Sequence, residues 1–200
     1  MAVPSISFFL IVALSASAST QHWELTAAET IWRDQYKNCD KGYAVDLPDG
    51  VVGHSSLPPE PNHGILISSN NPSSITEVTL AASRLVGIYD AFDAAEYRSA
   101  EAYAKHILAE EGHVEVVANV RTKFQGLPAA HIRFRKLEDG ASVEQEELIV
   151  YRQSKGMSPV FYVIWLRSMG TEFARDRKLY ALVRDGFHVL PVPTGVCSNN

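Results

Sequence analysis

The sequence predicts an α+β fold in which an antiparallel β-sheet is flanked by helices. Apolar and polar residues alternate through much of 114–151, which is the period of strands with one covered face. Residues 160–166 form the unbroken apolar run VFYVIWL, which is typical of a central strand with both faces covered. Between 99 and 111 the apolar residues recur at helical spacing, so this helix needs a sheet to pack against.

Residues 1–18 have the pattern of a secretion signal. They carry no charged side chain, and an apolar core from Phe8 to Leu14 gives way to small residues that end at Ala18. The core is far shorter than the roughly 20 residues that a bilayer-spanning helix needs. We therefore predict cleavage after Ala18 and a secreted or periplasmic mature chain without a transmembrane span. Because a basic n-region is missing, retention as an N-terminal anchor is the alternative.

Residues 19–42 are predicted to form an N-terminal helical segment. Thr26 and Glu29 have the spacing of a capping box, which marks the start of a helix. Trp23 and Trp32 flank this helix, where they either dock it on the sheet or present a surface to a partner. We favour docking, because burying an aromatic side chain gives the larger stabilisation.

Residues 43–190 are predicted to form a single α+β domain, followed by a C-terminal tail at 191–200. The length after the signal fits one domain. Alternation predicts an opening strand at 43–47, and the apolar run 85–89 predicts a buried strand. The stretch 54–64 is predicted to be a surface loop, because three prolines in five positions exclude a central strand.

The second half of the domain predicts a meander followed by a helix. Three alternating segments are separated by turns at Gly126 and Gly140, and the unbroken apolar strand follows them. Thr171 is placed to cap a last helix. The residues expected on the buried face of this helix are Phe173, Tyr180, Val183 and Phe187.

Three of these segments resemble the PsbP-like fold, an α/β/α sandwich found in a photosynthetic extrinsic protein and in many secreted bacterial relatives. They are YAVDLP at 43–48, FQGLPA at 124–129, and FYVIWL at 161–166 with the helix after it. The resemblance spans roughly 43–189, and the proline-rich loop departs from the family pattern. It implies a scaffold used for docking and assembly, without a catalytic motif common to its members, so it assigns no functional residue.

The charge pattern argues against nucleic acid as a partner. The formal net charge is -5, and no block of Lys and Arg is long enough to neutralise a row of phosphates. The densest basic cluster, RFRK at 133–136, lies in a strand pattern whose alternate side chains face opposite ways. We expect a solvated strand face there, without a charge that adds up on one surface.

The two cysteines, Cys39 and Cys197, lie near the two ends of the exported chain. Disulfides persist in exported proteins, and an even number of cysteines favours one bond between them. Two free thiols are the alternative. Neither cysteine has the local sequence signature of a catalytic nucleophile.

Titratable side chains give weak indications of a site. His54 and His63 bracket the proline-rich loop and are the candidate binding residues, but two ligands fall short of a metal site. We therefore predict no metal and no cofactor. The acidic pairs at 110–111 and 146–147 are expected to be solvated, because adjacent residues point away from each other.

These observations favour a secreted, non-catalytic binding or assembly domain with a protein or cell-envelope partner. The alternative is a secreted hydrolase with a dispersed site in the loops around 54–74, near His54 and His63. Polar loops on a rigid scaffold are where such sites concentrate. The absence of a catalytic motif makes an enzyme the less favoured of the two.

Overall fold

The computed structural model describes residues 29–56, 64–68, 84–91, 94, 96–154 and 158–191. The predicted secretion signal, the capping residue Thr26 and Trp23 lie outside the described residues. So do His63, Cys197 and the residues between β4 and β5 that belong to the proline-rich loop. What the sequence predicts for these positions stays a prediction.

The described part of the chain contains eleven strands and two helices. In chain order they are β1 (Glu29–Trp32), β2 (Gln35–Asn38), β3 (Tyr43–Asp46), β4 (Val52–Ser56), β5 (Gly64–Ser68), β6 (Arg84–Ala91), α1 (Ala100–Glu110), β7 (Glu115–Phe124), β8 (Leu127–Glu138), β9 (Ala141–Arg152), β10 (Val160–Met169), α2 (Phe173–Asp185) and β11 (Phe187–Val189).

Eight strands form one antiparallel sheet in the order β1-β4-β5-β6-β10-β9-β8-β7, and three form a small sheet in the order β11-β3-β2. β10 lies inside the large sheet, between β6 and β9. The side chains from Phe161 to Ile164 are completely buried, which confirms the prediction of a central strand covered on both faces. The meander β7-β8-β9 is also as predicted, because tight turns join strands of matched length.

The large sheet lies between two hydrophobic layers. On one face, Tyr103 and Ile107 of α1 pack against Ile132 and Phe161 of the sheet. On the opposite face, α2 and the small sheet cover the strands together. The predicted α+β class is therefore confirmed, with a larger share of strand than the sequence patterns predicted.

The N-terminal helix predicted within 19–42 is wrong where the structure describes this segment. Residues 29–38 form β1 and β2, which Asp34 separates with a left-handed backbone (φ 64°) that a helix cannot accommodate. Tyr36 and Asn38 are buried while their neighbours are exposed, so the segment has the period of a strand. Pairing with β4 and β3 satisfies the backbone here, and tertiary contacts override the local helix signal.

The predicted surface loop at 54–64 is wrong at its beginning. His54 lies in β4 opposite Ile31 and Leu66, and its side chain is completely buried. The prolines that indicated a loop come later in the sequence, and their exclusion of a strand does not extend back to His54.

The two helix starts differ. Ser99 caps α1, since its Oγ accepts a hydrogen bond from the Ala102 amide at 3.1 Å, and the helix begins where the helical spacing predicted it. The predicted cap at Thr171 is wrong, because Glu172 occupies the N-cap position of α2 without a side-chain hydrogen bond. Phe187 does not belong to α2 either: the helix ends before Gly186, and Phe187 pairs with Val45 in the small sheet.

Neither α1 nor α2 combines the length and apolar character that a bilayer-spanning helix requires, and the described residues contain no other helix.

Candidate functional site

A cavity of about 460 Å³ opens between α2 and the edge-side half of the large sheet. Five cationic side chains line it, and we call them together the cationic groove: Arg133, Arg135, Arg177, Lys178 and Arg184. Phe173 and two alanines of α2 supply the apolar part of its wall. Guanidinium and ammonium groups gathered on one concave surface make an anion-binding site the natural chemical interpretation.

Strand alternation places two of the five cations. Arg133 and Arg135 lie two residues apart on β8, so their side chains leave the same face of the sheet, the face toward α2. Phe134 between them is completely buried in the opposite layer. The expected solvated strand face is therefore wrong: these charges add up on one surface, because alternation unites residues two positions apart.

Helical spacing places the other three. Arg177, Lys178 and Arg184 follow one another along the flank of α2 that borders the cavity. Tyr180 and Val183 of the same helix point into the core and fix the helix on the sheet. The buried residues of α2 thus determine the positions of its cationic side chains.

Glu144 on β9 is buried among these cations, with 3% of its side chain exposed. It accepts a hydrogen bond from Nε of Arg133 and another, at 3.0 Å, from Nε of Arg135. The guanidinium of Arg133 also lies over the ring of Phe173, 4.6 Å from its centroid. These contacts hold the two β8 arginines in fixed orientations.

Glu146, two residues further along β9, is 1% exposed and takes two partners. Its Oε1 lies 2.9 Å from Nε2 of His131 and accepts a hydrogen bond of 2.8 Å from Arg177, whose Nε lies 2.6 Å from Oε2. Burial by itself would raise the pKa of Glu146, but the hydrogen bonds and charges of His131 and Arg177 hold it below its usual value. Arg177 is therefore anchored to the sheet through a charged pair.

The prediction that Glu146 and Glu147 are solvated is wrong. The two side chains do point to opposite faces, as adjacent strand residues must. Both faces of the large sheet are covered, however, so both carboxyl groups are buried, at 1% and 2% exposure. Only the tertiary packing decides this.

Tyr180 contributes the most deeply buried polar group of the cavity wall. The residue is 1% exposed, and its hydroxyl has no hydrogen-bond partner among the described residues. Burial raises the pKa of Tyr180, and the charge of Glu146 raises it further, so the hydroxyl keeps its proton. A buried hydroxyl without a partner is unusual and costs free energy.

Lys178 differs from its neighbours in the cationic groove. Its side chain is exposed, and it makes no ion pair with any described residue. Arg184, by contrast, pairs with Asp185 at 2.8 Å. Lys178 is therefore the cation with the most freedom to meet an incoming anion.

Two of the residues predicted from the sequence as site residues, His54 and Cys39, are described, and neither lines the cationic groove. His54 is completely buried in β4, which removes the solvent access that the binding hypothesis assumed. Its expected companion His63 is outside the described residues, so the pairing of the two stays a prediction. Cys39 lies in the turn between β2 and β3, and its expected disulfide partner Cys197 is outside the described residues.

In the described ranges, no three His, Cys, Asp or Glu side chains are grouped to hold a metal ion.

Sequence reasoning missed the cationic groove, although a signal for part of it exists. The turn at Asp139 and Gly140 fixes the register of β8 and β9, so that Arg135 faces Glu144 and Arg133 faces Glu146. Complementary charges on opposite strands of a predicted hairpin would have indicated an organised charged face. The approach of α2 from a distant part of the chain could not have been found in this way.

Fold and groove together define a sheet-dominated α+β domain with a cationic cavity beside its last helix. No protein-family model matches the chain, and no curated protein matches it.

Solved structures do resemble the chain. The Ran-binding protein Mog1p of Saccharomyces cerevisiae matches with 13% sequence identity and a TM-score of 0.51, over 80% of this chain and 97% of Mog1p. Cyanobacterial PsbP (CyanoP) from Synechocystis sp. PCC 6803 matches with 14% identity and a TM-score of 0.48, over 82% of this chain and 94% of CyanoP. LpqN, involved in cell envelope biogenesis of Mycobacterium tuberculosis, matches with 10% identity and a TM-score of 0.46, over 80% and 92%.

At these identities the similarity concerns the fold alone. The match to Mog1p shows that the chain shares the architecture of that protein. Function has to be argued from the groove itself.

Proposed function

We propose that the chain is an exported, non-catalytic binding domain that docks a protein partner through the cationic groove. The observation that carries the proposal is the convergence of four arginines and one lysine from two distant elements on one cavity. Export rests on the predicted signal at 1–18.

The organisation of the groove suits recognition. Arg133 and Arg135 are held by Glu144, and Arg177 is held by Glu146, so these long side chains lose little further freedom when a ligand binds. Arginine is also among the side chains that most often dominate the binding energy of protein interfaces. The preorganised guanidinium groups thus favour binding over a purely structural network.

The fold comparison is in keeping with this proposal. Mog1p, which shares the architecture, is described as a Ran-binding protein. The likeness transfers neither its partner nor its binding residues to this chain.

Charge reversal at Lys178 tests the proposal. We expect Lys178→Glu to weaken partner binding about tenfold, a change of about 1.4 kcal/mol, because it removes the unpaired cation of the groove and repels an anionic ligand. Lys105→Glu is the matched control, since Lys105 is an exposed lysine on α1, on the opposite face of the sheet.

The partner is first captured by crosslinking in the envelope fraction, identified and purified. Its affinity is then titrated for three proteins: the wild type, Lys178→Glu and Lys105→Glu. Loss of affinity in Lys178→Glu alone supports the proposal. Equal affinities of all three proteins, or no specific partner for the wild type, would refute it. Circular dichroism of each variant checks that the fold is unchanged.

A further inference from the structure

We propose that the group bound by the cationic groove is an extended acidic segment of the partner protein, about five residues long and carrying two carboxylates. This inference rests on the proposed function, because it names the ligand class of the same site. Three properties of the groove support it: its length, its charge and its supply of hydrogen-bond donors.

The length of the groove favours a linear ligand. Its wall on α2 runs from Phe173 to Arg184, and eleven helical steps of 1.5 Å make it about 16 Å long. A peptide in the extended conformation rises about 3.3 Å per residue, so about five residues match this length. A compact inorganic anion would occupy only a fraction of it.

The net charge of the groove favours a ligand that carries only a few carboxylates. Glu144 is shared by Arg133 and Arg135, and Arg135 also lies 3.5 Å from a carboxylate oxygen of the exposed Glu115. Arg177 and Arg184 are each offset by a carboxylate of their own, and Lys178 by none. Solvent screens the exposed Arg135–Glu115 pair, so the surplus is between one and two positive charges, which two carboxylates would neutralise.

The same glutamates argue against denser anions. A phosphate dianion or a polyphosphate chain in the cavity would approach the buried Glu144 in its wall, and also Glu146, which lies behind Arg177 and whose pKa is held below its usual value. Repulsion between like charges grows with the charge of the ligand and with the loss of solvent. Carboxylates spaced along a peptide can reach the cations with less of this repulsion.

The arginines of the groove keep N–H donors that Glu144 and Glu146 do not use. Arg133 engages Glu144 through Nε, while a guanidinium carries five N–H groups in a planar fork that matches a carboxylate. Lys178 adds three donors, and Phe173 offers an apolar surface for the methylene groups of an acidic side chain.

The experiment measures binding of a fluorescently labelled five-residue peptide with two glutamates to the purified mature protein. Two ligands serve for comparison. One is the same peptide with glutamine in place of both glutamates, and the other is inorganic phosphate. We expect the glutamate peptide to bind at least about tenfold more tightly than the glutamine peptide, and its affinity to fall with salt. Phosphate at the same concentration should not displace it.

Two variants test whether the peptide binds in the cationic groove. Lys178→Glu should weaken the glutamate peptide about tenfold, and Lys105→Glu should leave it unchanged. Arg177 is avoided as a test, because its removal would leave Glu146 buried with half of its charge partners and would destabilise the fold.

Three results would overturn the inference: equal affinity for both peptides, displacement by phosphate, or a concentration-dependent dimer that Lys178→Glu abolishes, which would make a second copy the occupant. The proposed function is tested separately. If the captured partner still depends on Lys178 while the glutamate peptide fails to bind, the ligand class is wrong and the docking function stands. If neither depends on Lys178, both are wrong.

Discussion

At the scale of single residues, Glu146 and Glu147 show how the two faces of one strand give identical side chains opposite properties. Glu146 faces α2 and is stabilised in its charged form by Arg177 and His131. Glu147 faces α1, between Ile132 and Trp165 on the neighbouring strands. Burial raises the pKa of Glu147 to about 7, and a hydrogen bond from Gln145 offsets only part of this effect.

This raised pKa predicts a pH dependence of stability. The folded pKa of Glu147 lies above its ordinary value of 4.5, so the native state binds more protons than the unfolded chain between these two values. The contribution of Glu147 to the free energy of unfolding therefore falls as pH rises from 4.5 to 7, and the loss is complete above pH 7.

We expect Glu147→Gln to be more stable than the wild type at pH 8, by up to roughly 3 kcal/mol, because it removes a charge from an apolar site. The difference should shrink toward pH 5, where the carboxyl is protonated in the folded protein. Urea unfolding at several pH values measures it, with Glu110→Gln on the exposed side of α1 as the control. A difference that does not change between pH 5 and pH 8 would contradict the assignment.

At the scale of elements, the packing of β6 between β5 and β10 depends on a residue without a side chain. Gly87 lies opposite Trp165 of β10 and Leu66 of β5. A Cβ at this position would lie 2.8 Å from Nε1 of Trp165 and 3.0 Å from the carbonyl oxygen of Ile65. The indole and the backbone occupy the space that a methyl group would need.

We expect Gly87→Ala to lower the free energy of unfolding by about 1–3 kcal/mol, because overpacking forces the Trp165 ring or the β5 backbone to move. Gly53→Ala is the matched control, since this buried strand glycine faces the flexible Cδ1 of Ile65 at 3.0 Å. Its loss should be clearly smaller in the same denaturation experiment. Equal losses at the two glycines would show that strand glycines in general, and not the Trp165 contact, determine the effect.

At the scale of the whole molecule, the last described strand lies beside β3 and the turn that precedes it. β11 pairs with β3, and the Leu190 amide donates a hydrogen bond of 2.9 Å to the carbonyl of Gly42. Gly42 ends the turn that contains Cys39. The C-terminal tail that carries Cys197 therefore follows a residue bonded to the turn of Cys39, which favours the predicted disulfide.

The predicted bond would close a loop that includes almost the entire folded domain. In the chain-entropy model, a loop of this size stabilises the folded protein by roughly 4–5 kcal/mol. We expect a reducing agent to lower the denaturation midpoint of the wild type substantially. The Cys39→Ser, Cys197→Ser double variant should begin at that lower midpoint and not respond to the reducing agent. Two titratable thiols in the native, unreduced protein would contradict the prediction.

The sequence also predicted the elements that depend on local pattern. The apolar run of β10, the turn-separated strands of the meander and the position of α1 were all predictable, because period and turn chemistry act between neighbours in the chain. The prediction for 29–38 was wrong because its strands are stabilised by pairing with β3 and β4. A local sequence pattern does not show that pairing.

By itself, therefore, the sequence determined the α+β class of this protein, the identity of its central strand and the prediction of export. Only the tertiary structure decided that Glu146 and Glu147 are buried, that His54 is enclosed in β4 and that α2 brings Arg177 and Lys178 to Arg133 on β8. The physical reason is distance along the chain. Burial and charge convergence depend on which elements pack together, whereas strand and helix periods are set by residues a few positions apart.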